Sequence, residues 1–81
     1  MLRTRFCVAN WKMNLNCTDT KSFLENWNNK ELNNKEVKTI FCPSFTELNS
    51  TSELLHNSDS ELGAQNVYYE SNGAYTGEIS C

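Results

Sequence analysis

The sequence predicts an α/β chain built on a parallel sheet, in the order strand, helix, strand, helix, strand. Three observations predict it. Two short apolar runs, residues 6–9 and 37–42, each stop abruptly, the first at the polar Asn10 and the second at Pro43. Apolar residues at helical spacing lie between and after them: Phe23, Leu24 and Trp27, then Leu48, Leu54 and Leu55. A brief third run, Leu62-Gly63-Ala64-Gln65, follows the second set. Strands that alternate with helices are joined by right-handed crossovers and therefore lie parallel.

Phe6-Cys7-Val8-Ala9 is continuous rather than alternating, the pattern of a strand buried on both faces. A polar connection through Asn14, Asn16 and Cys17 leads to Thr18-Asp19-Thr20, which offers several N-cap candidates. Asn28-Asn29 and Asn33-Asn34 weaken the first helix and mark its exit, with Leu32 as a further packing candidate. Thr39, Ile40 and Phe41 favour the pleat of a second strand. Ser44-x-x-Glu47 and Ser50-x-x-Glu53 are capping-box patterns for a short second helix. Residues 62–65 read as the third strand, and 66–80 as a long loop bending at Gly73 and Gly77. Three strands leave two apolar edges, which natural sheets avoid. The expectation is that further chain, or another chain, completes the sheet.

A chain of 81 residues permits one small domain, which buries only about 60% of its unfolded surface. Its net charge is -3, and its seven basic residues, Arg3, Arg5, Lys12, Lys21, Lys30, Lys35 and Lys38, are scattered, which argues against a nucleic-acid grip. No apolar run approaches the roughly 20 residues that cross a bilayer. Residues 6–9 are too short for a signal-peptide core despite Arg3 and Arg5, so a cytoplasmic location is expected. The four cysteines, Cys7, Cys17, Cys42 and Cys81, form no C-x-x-C pair and have no histidine at zinc-ligand spacing, so no metal site is expected. They read as reduced structural thiols, Cys7 and Cys42 acting as small buried hydrophobes. The sequons Asn16-Cys17-Thr18 and Asn49-Ser50-Thr51 are then chance matches.

Particular residues narrow this further. Val8-Ala9-Asn10-Trp11-Lys12-Met13-Asn14 resembles the end of the first barrel strand in triosephosphate isomerases. Gly63-Ala64-Gln65-Asn66 resembles the third strand of that family, and Asn72-Gly73-Ala74-Tyr75-Thr76-Gly77-Glu78-Ile79-Ser80 the loop after it. Pro43-Ser44 falls where the family ends its second strand, so the resemblance covers the whole chain. The family forms (β/α)₈ barrels of typically about 250 residues. The resemblance thus implies that residues 1–81 are a partial TIM-barrel domain: the first three strands, the first two helices and the long third loop. It further implies a cytoplasmic, homodimeric isomerase of glycolysis and gluconeogenesis, working without a cofactor. The reaction interconverts dihydroxyacetone phosphate and glyceraldehyde 3-phosphate through an enediolate. A carboxylate base removes a proton next to a carbonyl that a neutral imidazole polarises.

Lys12 follows the end of a strand, where a single ammonium can hold a phosphate dianion and offset charge on an enediolate oxygen. Preorganised electrostatics of that kind contribute about 3–4 kcal/mol in a transition state. By position alone Lys12 would be a solvated surface lysine; the resemblance gives it the catalytic, substrate-binding role. Asn10, otherwise a strand-ending residue serving local backbone, becomes by resemblance a substrate contact that helps place Lys12. Trp11 and Met13 read as packing anchors. Thr76 matches the family position that reaches into the partner subunit, and Gln65, Tyr75 and Glu78 are assigned to the same dimer interface. A loop of this length is uncommon without a purpose. His56, the lone histidine, ends the second helix and suits the negative end of its macrodipole rather than the electrophile's place.

The family's base, its imidazole, its lid and its later phosphate-gripping loops correspond to positions beyond Cys81, and none of the ten acidic residues matches the base. The isolated chain is therefore expected to be inactive and prone to association. Cys81 stands where the family often has Pro, and truncation of a longer product is the simplest account. Two other readings stay open: a half-sheet binding small anions through Asn10 and Lys12, and a remnant that pairs with an intact isomerase through the Thr76 loop.

Overall fold

A computed structural model describes residues 3–30 and 37–80, the side chains of Asn29 and Lys30 excepted. Leu32, Asn33, Asn34 and Cys81, which figured in the sequence reading, lie outside the described residues. Strand β1 (Arg5–Asn10) is followed by helix α1 (Cys17–Lys30), strand β2 (Val37–Cys42), a 3₁₀ turn (Phe45–Glu47), helix α2 (Leu48–Leu54) and strand β3 (Glu61–Leu62). The strands form one parallel sheet in the order β1-β2-β3. Register runs from Arg5↔Val37 to Asn10↔Cys42, so the first two strands end side by side on one rim.

The predicted third strand, 62–65, is shifted and shortened. Gly63 N–H still donates to Phe41 O (2.8 Å), but the next ladder bond would need an N–H at Pro43, which has none. Gly63 also lets the two strands approach: a Cβ there would stand 2.7 Å from Cys42 Sγ and 3.1 Å from Ile40 Cγ2.

Helix α1 is capped by Asn16, whose Oδ1 accepts the Asp19 N–H (2.9 Å) and whose carbonyl accepts Thr20 N–H (2.9 Å). Thr18, Asp19 and Thr20 lie in the first turn instead of before it, and Asp19 sits at the positive end of the helix. Asn28 does not end the helix; its Nδ2 donates to Leu54 O (2.9 Å), one of the free carbonyls at the end of α2. Ser44 precedes the 3₁₀ turn and accepts Glu47 N–H through its carbonyl, without a cap bond from its hydroxyl. The buried Glu47 carboxylate is taken by the Thr46 hydroxyl, so it cannot complete a capping box. Ser50 and Glu53 fall inside α2.

Both helices cover the same face of the sheet. There Trp11, Leu24, Phe41 and Leu55 are buried, with Ala9, Leu15, Trp27 and Leu54 around them. The Phe41 ring meets Trp11 (5.6 Å), Phe23 (5.9 Å) and Trp27 (5.3 Å) edge-on or tilted, the favoured aromatic geometry. Among the described residues the other face is bare. Phe6 and Val8 are exposed, against the expectation of burial on both faces, because β1 is an edge strand and the helices cross only one side. Cys7, on the side of the strand that carries Ala9, is also exposed, whereas Cys42 is buried; Cys7, Cys17 and Cys42 are free thiols. Among the described residues no helix is long and apolar enough to cross a membrane.

Candidate active-site rim

Where β1 ends, the chain turns on hydrogen bonds to its own side chains. Asn10 Oδ1 accepts the Lys12 N–H (2.9 Å), and Asn14 Nδ2 donates to Trp11 O (2.9 Å). Trp11 points inward, buried, and its N–H donates to Cys42 O (3.1 Å). Lys12 then adopts φ 58°, and Leu15 φ 66°. A non-glycine residue in this left-handed region is uncommon and costs on the order of 1 kcal/mol, so the surroundings must hold it there. Gln65 does so from the far side of the sheet, its Nε2 donating to Lys12 O (2.9 Å) and to Cys42 O (2.9 Å).

The Lys12 side chain is exposed beside an open hollow of ≈ 270 Å³ whose walls include Met13, Phe45, Leu48, Gln65 and Ile79. Lys12 is the only charged residue among the described residues that line it. An anion entering the hollow meets one cation and no carboxylate. Met13 is 94% exposed and anchors nothing among the described residues; Trp11 alone packs as expected.

Loop 66–80 is folded back on itself. Tyr68 N–H donates to Ile79 O (2.6 Å), Asn66 Nδ2 to Glu78 Oε2 (3.3 Å), and Glu78 N–H closes a tight turn onto Tyr75 O (3.0 Å). Gly77 holds φ 84° at the third position of that turn, which demands a positive φ in a type II geometry. The Tyr68 ring stacks 4.5 Å from Tyr69 and 4.4 Å from Tyr75.

A sequence model of the triosephosphate isomerase family matches residues 5–81. The chain belongs to the triosephosphate isomerase family. Triosephosphate isomerases of Dictyoglomus turgidum, Dictyoglomus thermophilum and Trichodesmium erythraeum are 40%, 42% and 41% identical to it over 79, 79 and 80 residues. Each alignment covers 98% of this chain and 32–33% of the relative, so the chain spans about a third of the length of the curated relatives it matches.

Of the residues singled out from the triosephosphate isomerase resemblance, Asn10, Lys12 and Gln65 are brought together by direct hydrogen bonds. Tyr75, Thr76 and Glu78 lie apart from them on the loop, and among the described residues none bonds to Asn10 or Lys12 within the chain. Thr76 is exposed in the turn closed by Glu78. His56 is exposed just past α2, the helix that returns the chain from the rim to the start of β3, and so lies toward the opposite end of the sheet. What sequence reasoning missed is the reach of the Gln65 amide across to Lys12 O and Cys42 O, and the apolar wall of Phe45, Leu48 and Ile79. The one available signal was a polar residue closing the predicted third strand, 62–65.

Proposed function

We propose that residues 5–81 serve as the first part of a triosephosphate isomerase barrel, supplying three strands, two helices, the third loop and the cationic corner of its active site. Lys12 draws in the phosphate dianion of a triose phosphate and offsets negative charge on the enediolate oxygen. Asn10 spends its Oδ1 on the Lys12 N–H, which leaves its Nδ2 as the donor available to a substrate oxygen. Loop 66–80, with Tyr75, Thr76 and Glu78, and Gln65 at its root, presents the surface to a second subunit in a cytoplasmic homodimer. The single observation that carries this reading is the placement of Lys12. It sits at the C-terminal rim of a parallel sheet, in a backbone state held from two sides, as the lone charge of its hollow.

Among the described residues no carboxylate lines the hollow with Lys12, so charge stabilisation has no proton acceptor to work with in these residues alone. Purified 81-residue chain is expected to show no turnover of either triose phosphate. In the complete polypeptide, Lys12→Ala is expected to lower kcat/KM by about 10²–10³-fold. Turnover by the 81-residue chain that Lys12→Ala abolishes would overturn the division of labour, and a complete polypeptide indifferent to Lys12→Ala would overturn the site.

A further inference from the structure

We infer that Gln65 is the positioning residue that keeps Lys12 in its working conformation, a role separate from any contact with a second subunit. Its one amide nitrogen donates to two carbonyls, Lys12 O and Cys42 O, each at 2.9 Å. An amide NH₂ carries two hydrogens, so both bonds are made at full strength. Cys42 is the last residue of β2, and its carbonyl also receives the Trp11 N–H (3.1 Å). Three strand ends are thus tied at one point: β1 through Trp11 and Lys12, β2 through Cys42, and β3 through Gln65 itself.

The backbone ladder cannot perform this task, because β1 stops at Asn10 and β3 at Leu62. The bond from Lys12 N–H to Asn10 spans only two residues, so it moves with the turn instead of anchoring it to the rest of the sheet. The Gln65 bond spans 53 residues and comes from the opposite edge of the sheet. Releasing it lets Lys12 relax from φ 58° toward negative φ and swing its ammonium away from the hollow. Displacements on the order of 1 Å cost about 10²-fold in rate where geometry sets the barrier. Glutamine fits the task by length and polarity. Asparagine is a methylene shorter, and glutamate would set an anionic oxygen against two carbonyls.

This role rests on the isomerase reading for its consequence, though not for its geometry. In the complete polypeptide, Gln65→Met keeps the size of the side chain and removes both donors. It is expected to lower kcat about tenfold and raise KM about tenfold, since Lys12 serves both bound phosphate and transition state. Loss of folded enzyme would lower apparent kcat and leave KM unchanged. In Gln65→Glu, the defect relative to unsubstituted enzyme should shrink as pH falls through the carboxyl's range, because protonation restores one donor. Exchange of the Lys12 amide hydrogen, followed by NMR, should quicken about tenfold in Gln65→Met whether or not turnover is measured. If Lys12→Ala abolishes turnover while Gln65→Met leaves kcat, KM and that exchange unchanged, the positioning role is wrong and the isomerase reading stands. If no form of the protein turns over substrate, the isomerase reading fails, and unchanged exchange in Gln65→Met still overturns the clamp.

Discussion

On the helix-covered face of the sheet Leu24, Phe41 and Leu55 are 0%, 2% and 5% exposed, whereas on the opposite face Phe6 and Val8 stand 62% and 57% exposed. Side chains alternate along a strand, so Ala9 joins the covered core while its neighbour Val8 points away from it. Each strand–helix unit closes the face its own helix crosses, using residues near in sequence. Nothing so near can close the other face. That side carries Phe6, Val8, Ile40 and the ion pair of Lys38 with Glu61 (2.9 Å), whose partly exposed groups contribute at most about 1 kcal/mol. The described fold is therefore stabilised from one side, and Lys12 and its hollow sit on the rim where the two sides meet.

Truncating one apolar residue on each face sharpens this contrast. Leu24→Ala is expected to destabilise the chain by about 3 kcal/mol, the usual cost of emptying a packed leucine site. Val8→Ala should cost less than about 0.5 kcal/mol in the 81-residue chain, as exposed substitutions do. Urea unfolding followed by the fluorescence of Trp11 and Trp27 measures both. In the complete polypeptide the Val8 value should rise above about 1 kcal/mol if the bare face becomes the interior of a barrel. Equal costs at Leu24 and Val8 in the short chain would break the comparison.

A smaller effect is expected at Leu15, which also packs against the covered core but does so at φ 66°. Leu15→Gly relieves roughly 1 kcal/mol of left-handed strain. It gives up about 1 kcal/mol of partial burial and loosens the unfolded chain by a further 0.5–1 kcal/mol, roughly. The net loss is about 0.5–1 kcal/mol, at most a third of the Leu24 effect for the same residue type on the same face. A loss of about 2 kcal/mol, the sum of the burial and chain-freedom effects alone, by the same unfolding measurement, would mean that φ carries no strain there.

Much of this fold is legible in the sequence, and the parts that are not have physical reasons. β2 is readable end to end because β-branched and aromatic residues lie between the acidic Glu36 and Pro43. β1 is readable as a strand but not as an edge, since a continuous apolar run looks the same with one face covered or two. The α1 cap is ambiguous because Asn16, Thr18, Asp19 and Thr20 are all good caps; the turn through Asn14 and Leu15 selects Asn16. At the site, Asn10, Lys12 and Gln65 announce themselves as polar residues at or just past the ends of apolar runs. The left-handed state of Lys12 does not, because a lysine carries none of the signal a glycine would. Nor does residue type reveal that the Gln65 amide reaches across to two carbonyls.

The smallest expected effect lies in loop 66–80, which belongs to neither face. Tyr68 is stacked on Tyr69 and Tyr75, and its hydrogen bond with the Tyr69 side chain, aided by partial burial, holds its phenol above the ordinary tyrosine value. A group whose value is raised on folding stabilises the folded loop at pH below its unfolded value, about 10 for tyrosine, and loses that contribution as pH rises through the raised one. Limited proteolysis within 66–80 should therefore quicken only above about pH 10, and Tyr68→Phe should remove a phenol that ionises above the ordinary tyrosine range in an absorbance titration. Trp11 and Trp27 report the covered core and should keep their fluorescence over the same range, because no tyrosine belongs to that core. Simultaneous loss of the tryptophan signal would show that the tyrosine stack and the covered face unfold as one unit, and the loop would cease to be a third, separately stabilised region.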